Sequence, residues 1–290
     1  MKKISVRRLA AKAEKLPIYI IFAVLCFAVI YPVLLMVQLS LQDRIELSKT
    51  FSPINSLTGF SKPDQIPLFP TLKNYRTLMF YTPEFYTVFW NSLKNVTVIL
   101  ACQLLVAAPS AWAFARYRFK GHKQLFNVYV IFMLMPFQVT MLSQYLLLDT
   151  LKLMDTSMAL ILPAVFSTFP VFIMYRSFTG IPEEVLNSAR IDGAGEWQIF
   201  FRIGIPMGSP GILAAMTLGF LDLWNMVEQP LAFIKDKKLF PLSIFLPMLG
   251  NGSEGMVLAA SAVTLMPAAF VFIIGQDKLE AGIIASAIKE

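Results

Sequence analysis

The chain has 290 residues, of which 57% are hydrophobic and 15% charged, whereas an ordinary soluble domain carries about 25% charged residues. Several apolar runs approach the ~20 residues needed to cross a bilayer, so the composition reads as a polytopic membrane protein with no room for a separate soluble domain. The formal charge of +7 does not point to nucleic acid, because Lys and Arg crowd short loops and no basic helix is interleaved with stacking aromatics.

In chain order, Lys2, Lys3, Arg7, Arg8, Lys12 and Lys15 precede a first span over residues 17–39. That run is long enough to cross a bilayer and lacks a small-residue cleavage site, so it reads as a span and not as a removable signal. A long segment, residues 42–84, follows on the far side. Five more spans are predicted at residues 86–115, 125–148, 157–178, 206–234 and 256–276, the third of them divisible near Pro136. Arg116, Arg118, Lys120 and Lys123 fill the connection after the second span. By the positive-inside rule this turn and the N-terminus are cytoplasmic, and an even number of spans returns residues 278–290 to the same side. The expectation is therefore an all-α membrane protein with six transmembrane helices. It divides into residues 1–85 (tail, first span and extracytoplasmic segment) and a five-helix core, residues 86–290.

Cys26 and Cys102 lie inside apolar runs and read as small packing residues. The single histidine, His122, sits in the basic turn, and no metal site is expected. Pro109, Pro136, Pro163, Pro170 and Pro267 fall inside spans, where neighbouring helices or water satisfy the freed carbonyls.

Between the fourth and fifth spans the sequence builds an elbow, residues 181–203. Pro182 pre-sets a first helical turn, and Glu183 and Glu184 complement its dipole. The helix is predicted to run to Ile191 and stop at Asp192-Gly193, a pair suited to a turn. A second short helix is predicted over residues 196–203, with Pro206 opening the fifth span. Val185, Ala189 and Ile191 are predicted to bury one edge, leaving Glu183, Glu184, Asn187 and Arg190 on the other. Periodicity alone also fits a solvated connector lying on the headgroups.

In the fifth span Asp222, Asn225 and Gln229 are spaced three and four apart and so are predicted to share one helical face, with Trp224 and Glu228 elsewhere on the circumference. An acid at membrane depth faces a bundle interior or an aqueous cavity. Three readings stay open: a polar lining for a hydroxyl-rich solute with Phe220 or Trp224 as an apolar ring surface, an interhelical polar clasp, or a helix end at the interface. Gln103, Gln138, Ser143 and Gln144 tie helices together or touch the same solute. The loop over residues 239–255 is flexible by composition.

The elbow resembles the EAA loop of permease subunits in binding-protein-dependent ABC importers. That pattern is Glu-Ala-Ala, three residues, Gly, then about nine residues to Ile-x-Leu-Pro. Ala189, Asp192-Gly193-Ala194 and Ile203-Gly204-Ile205-Pro206 match it in register; Ser188 replaces the first alanine and Asn187 the glutamate. Asn91-Ser92-Leu93, residues 111–116 with the basic turn after them, Met135-Pro136, residues 146–148, Asp155-Thr156, Leu223-Trp224-Asn225 and residues 281–289 extend the resemblance. The carbohydrate group, similar to the shorter maltose-type permease, fits best.

The resemblance implies a type I importer permease fold with a cytoplasmic coupling helix, in a prokaryotic plasma membrane. It implies a second permease as heterodimer partner, two ATP-binding subunits and an extracytoplasmic solute-binding protein, which the loop over residues 239–255 would reach. Glu183, Glu184, Asn187, Ser188, Ala189, Arg190, Asp192, Gly193 and Ala194 would form the ATPase-coupling surface, and Asp222, Trp224, Asn225 and Gln229 the substrate path. No catalytic residue or cofactor is expected in this chain: it has no G-x-x-x-x-G-K-[ST] phosphate loop, and ATP and Mg would be used by the partner subunit. Asn187 keeps only hydrogen bonds where the family's glutamate can pair ionically, so Glu183 and Glu184 would compensate.

Other classes fit less. An intramembrane protease would require an arginine where Ser188 stands, and intramembrane histidines. A secondary transporter would show inverted repeats and paired broken helices. An importer permease for a non-sugar solute remains the alternative.

Overall fold

The computed structural model describes residues 2–55, 59–60, 67–249 and 254–287. The glycine-rich residues 250–253, part of the loop read as flexible, and the last three residues of the tail lie outside the described residues. The backbone forms helices α1 (Lys2–Ser40), α2 (Arg44–Asn55), α3 (Lys73–Tyr81), α4 (Pro83–Arg116), α5 (His122–Leu134), α6 (Phe137–Thr150), α7 (Ser157–Val165) and α8 (Thr168–Thr179). Then come α9 (Glu183–Ile191), α10 (Glu196–Ile199), α11 (Ile205–Trp224), α12 (Glu228–Phe233), α13 (Leu242–Met248) and α14 (Glu254–Ala287). A π-helical turn, Phe200–Gly204, joins α10 to α11.

The chain divides into two compact units, residues 1–81 with 249–263, and residues 82–248 with 264–290. In the first, α1 carries an apolar stretch, Pro17–Ser40, that is long enough to cross a membrane and is buried only at its end, at Leu39 and Ser40. The segment after it is tied back by polar contacts. Asn74 Nδ2 donates to the carbonyls of Ser40 and Gln42 at 2.9 and 3.0 Å, and the Phe69 N–H donates to Glu46 Oε1 at 2.9 Å.

The second unit is a helix bundle in which α11 packs on α8 and α4, and α4 also packs on α7 and α8. Its core gathers Ala107, Ala108, Ala111 and Trp112 of α4, Val171, Met174 and Phe178 of α8, and Ile212 and Ala215 of α11. Small residues let these helices approach closely. A Cβ added at Gly208 would stand 2.3 Å from the Phe178 ring, and one at Gly211 would stand 2.2 Å from Ser177 Cβ. Such seams suit a membrane, where contact and not a hydrophobic driving force holds helices together.

Five helical stretches are long and apolar enough to cross a membrane, and α5 with α6 makes a sixth if that bent pair is one span. The two meet at 101°. Pro136 is the cause: it caps α6 with extended backbone and cannot donate to the carbonyls of α5. The fifth span differs from the sequence reading at both ends. At its start there is no break before Pro206: a π turn, in which the Ile205 N–H reaches back to the Phe200 carbonyl, runs into α11 with the proline in its first turn. Helix therefore runs unbroken from Glu196 to Trp224. At its end α11 stops at Trp224 with Asn225 as its C-cap. A separate short helix, α12, starts at Glu228 with Pro230 in its first turn, where the missing N–H costs no bond.

A clasp joins the turn after α6 to the turn after α12. Asp155 adopts φ +60, a left-handed conformation that aspartate tolerates better than most residues. Its Oδ1 accepts the backbone N–H groups of Lys235 and Asp236, both at 2.8 Å, and its own N–H donates to the Phe233 carbonyl at 3.0 Å. The bonds from Asp236 and Lys235 hold the Asp155 carboxyl below its ordinary range. A depressed folded value means the clasp contributes fully above the ordinary carboxylate pKa, about 4, and is lost as pH falls through the lower folded value. D155A should speed hydrogen exchange at the Lys235 and Asp236 amides at pH 7; the unaltered chain should show the same loosening only in acid.

Candidate functional site

The elbow forms where the sequence places it. Pro182 is the N-cap of α9, Glu183 and Glu184 occupy its first turn, and Asp192 caps its end. Gly193 follows with φ +82, a conformation that costs other residues about 1–2 kcal/mol. The buried edge is not the one predicted. Leu186, fully buried, anchors the helix among Ile181, Phe178, Ile199 and Phe200. Ala189 packs partly against that cluster, whereas Val185 is exposed and Ile191 is 87% exposed. Leu186 sits five residues after Ile181 and three before Ala189, so the apolar stripe is turned by one position from the sequence reading.

Arg116 was read as one more cation of a basic turn. It is instead the elbow's fastening, and sequence reasoning missed it. Its side chain is 6% exposed. One terminal nitrogen donates to Glu183 Oε2 at 3.0 Å; the other donates to the carbonyl of Phe178 and, at 2.7 Å, to that of Ile181. The Phe178 carbonyl lies in the last turn of α8 and the Ile181 carbonyl in the link before α9, so a single guanidinium caps one helix and holds the start of the next. No sequence signal separates it from Arg118, apart from its position on the last turn of α4.

Arg190 draws the two arms together. Its Nε donates to Glu196 Oε1 at 3.0 Å, and its Nη1 to Asn187 Oδ1 at 2.9 Å and Glu183 Oε1 at 3.4 Å. Tyr117 Oη donates to Glu196 Oε2 at 3.0 Å; burial and then that bond push the phenol up from its usual value. Of the predicted outward set, Glu183, Asn187 and Arg190 are thus engaged within the elbow. Glu184, Ser188, Asp192 and Gly193 are exposed and Ala194 half-buried. Beside them Trp197 and Phe201 stack at 6.1 Å with both rings mostly exposed.

At the other end of the unbroken helix lies a cavity of about 1200 Å³, lined from α4, α5, α6, α7, α8 and α11 and by the segment that follows. Asp222, Asn225 and Gln229 line it. They do so without sharing a helical face, because α11 has ended at Trp224. That break also brings Glu228 to the lining, against expectation, with Oε1 accepting from Gln138 Nε2 at 2.7 Å. Gln103 and Gln144 join it. Trp224 does not. Its indole is buried, stacks on Phe220 at 5.5 Å and donates to the Thr264 carbonyl at 3.1 Å. A buried indole needs such an acceptor, and Trp224 is a packing residue there.

Residues 103–284 match the family model described as the inner membrane component of binding-protein-dependent transport systems. The chain is 31% identical over 272 residues to the arabinooligosaccharides transport system permease protein AraQ of Halalkalibacterium halodurans, covering 92% of this chain and 94% of that one. It is 28% identical to the lactose transport system permease protein LacG of Rhizobium radiobacter, with 69% and 74% covered. In fold it resembles a chain from a bacterial ABC transporter involved in the import of the acidic polysaccharide alginate, with a TM-score of 0.79, 17% identity and coverage of 92% and 97%. The chain belongs to the family of inner membrane components of binding-protein-dependent transport systems.

Proposed function

We propose that this chain is one permease subunit of an ATP-driven importer of sugars or oligosaccharides, supplying half of the translocation path. The names of its relatives, which concern arabinooligosaccharides, lactose and diacetylchitobiose, support a carbohydrate cargo. The observation that carries the mechanism is the single helical run from Glu196, in the elbow, to Trp224, beside the cavity. A displacement imposed on one end is delivered to the other.

In this reading residues 181–203 form the coupling segment, on the cytoplasmic face with both termini. The α9 helix docks in a cleft of a separate ATP-hydrolysing subunit through its outward residues: Glu184, Val185, Ser188, Ile191, Asp192 and Gly193. Asn187 and Glu183 serve inside the elbow, which leaves Glu184 as the acid of α9 facing the partner. A second permease completes the path, and a solute-binding protein delivers cargo from outside. ATP binding in the partners supplies the differential affinity that switches access.

The test is uptake in a strain lacking this chain, with and without a plasmid copy, using radiolabelled arabinotriose, lactose and diacetylchitobiose. Restored accumulation of any of them supports the assignment; unchanged import of every sugar ends it. The E184R variant should insert normally yet lower accumulation by at least fivefold. Wild-type uptake by E184R would remove this acid from the docking surface.

A further inference from the structure

The cavity's chemistry sets the charge of what it accepts. Two carboxylates line it, Asp222 and Glu228, and among the described lining residues there is no Lys, Arg or His. Asp222 has no hydrogen-bond or ion-pair partner among the described residues. Gln103 adds an unmatched acceptor in the cavity wall. It is 3% exposed and lines the cavity, its Nε2 donates to the Ala164 carbonyl at 2.7 Å, and its Oε1 has no partner. A buried acceptor left unmatched is costly unless something donates to it.

Around these acceptors three amides each give one N–H to the protein. Asn225 Nδ2 donates to the Leu221 carbonyl at 2.8 Å and Gln144 Nε2 to Thr140 Oγ1 at 3.3 Å. Gln138 gives one of its two N–H donors to Glu228. The charge that the lining offers is therefore negative.

Resting on the sugar-importer reading, we infer that this half of the path selects neutral or amine-bearing oligosaccharides and rejects acidic ones. Hydroxyl and ammonium groups donate to Asp222 and Glu228. The carboxylate of a uronate adds an acceptor and no donor, and it meets two like charges. An importer of the acidic polysaccharide alginate shares the fold, so the fold by itself does not fix the charge of the cargo; the side chains do.

The test bypasses the solute-binding protein, which makes its own selection. The complete assembly of permeases and ATPases is purified without it. Equilibrium binding is then measured for arabinotriose, lactose and diacetylchitobiose, each beside its form with a primary hydroxyl oxidised to carboxylate. At least one neutral probe should bind ten times more tightly than its oxidised form, and D222N/E228Q should cut that preference to less than threefold. Each substitution keeps shape and an acceptor oxygen; D222N alone, expected to lower the preference about threefold, serves if the double variant fails to assemble. Equal affinity for neutral and acidic probes, or a preference unmoved by the substitutions, overturns the inference while leaving sugar import standing. Binding of none of the probes removes both.

Discussion

R116A should abolish nucleotide-driven uptake while leaving the chain in the membrane. The substitution strips a charged donor from the carbonyls of Phe178 and Ile181 and from Glu183 Oε2. Bonds to a charged group contribute roughly 1.5–3 kcal/mol each, while the Phe178 carbonyl keeps the Ile181 N–H at 3.2 Å. Shared partners make such figures non-additive, so a net loss of about 3 kcal/mol in the attachment of α9 is expected. That is on the order of a hundredfold in the equilibrium between a fastened and a loosened elbow. Uptake by reconstituted vesicles should drop at least tenfold, with ATP hydrolysis persisting but no longer tied to transport. R116K keeps the charge without the planar fork and should recover only part. E183Q removes only the exposed partner of the pair and should change uptake less than twofold, since exposed ion pairs contribute about 0–1 kcal/mol. An R116A transporter as active as wild type would show that the elbow is held by Leu186 and its neighbours alone.

The second large effect concerns the seam between α8 and α11. G211A places a methyl group 2.2 Å from Ser177 Cβ and 3.4 Å from the Ile173 carbonyl. Neither helix backbone can yield locally, so the pair must separate, and overpacking of this kind costs about 1–3 kcal/mol. The thermal midpoint of the purified assembly should fall. S177G should reverse most of it by removing the atom that is struck, although the Ser177 hydroxyl's 3.3 Å bond to the Gly208 carbonyl goes too. The double variant should therefore be more stable than G211A, with a coupling of at least 1 kcal/mol. Additive losses would mean that the seam opens without resistance.

The pattern of legibility follows from what each interaction needs. Long apolar runs and the Pro-Glu-Glu and Asp-Gly boundaries of the elbow are local signals, and the helices stand where those signals put them. Leu186 was overlooked because Val185 and Ile191 offer equal hydrophobicity one position away; which edge is buried depends on Phe178 and Phe200, far off in sequence. Arg116 reads as a topology signal, and nothing near it announces that its partners lie more than sixty residues on. The polar residues near the end of the fifth span were identified with the wrong geometry. Helical spacing extends through Asn225 in the sequence, but the helix stops at Trp224, which adds Glu228 to the cavity and leaves Trp224 outside it.

The π turn over Phe200–Gly204 has a mechanical implication. With Pro206 absorbed there, the run Glu196–Trp224 counts 29 residues, a rod about 44 Å long at 1.5 Å per residue. A connecting rod of that length works as gearing: a tilt of a few degrees at one journal becomes several ångströms of travel at the other. Loss of the widened turn would let the proline kink the shaft midway, and the stroke would dissipate before it reached Asp222.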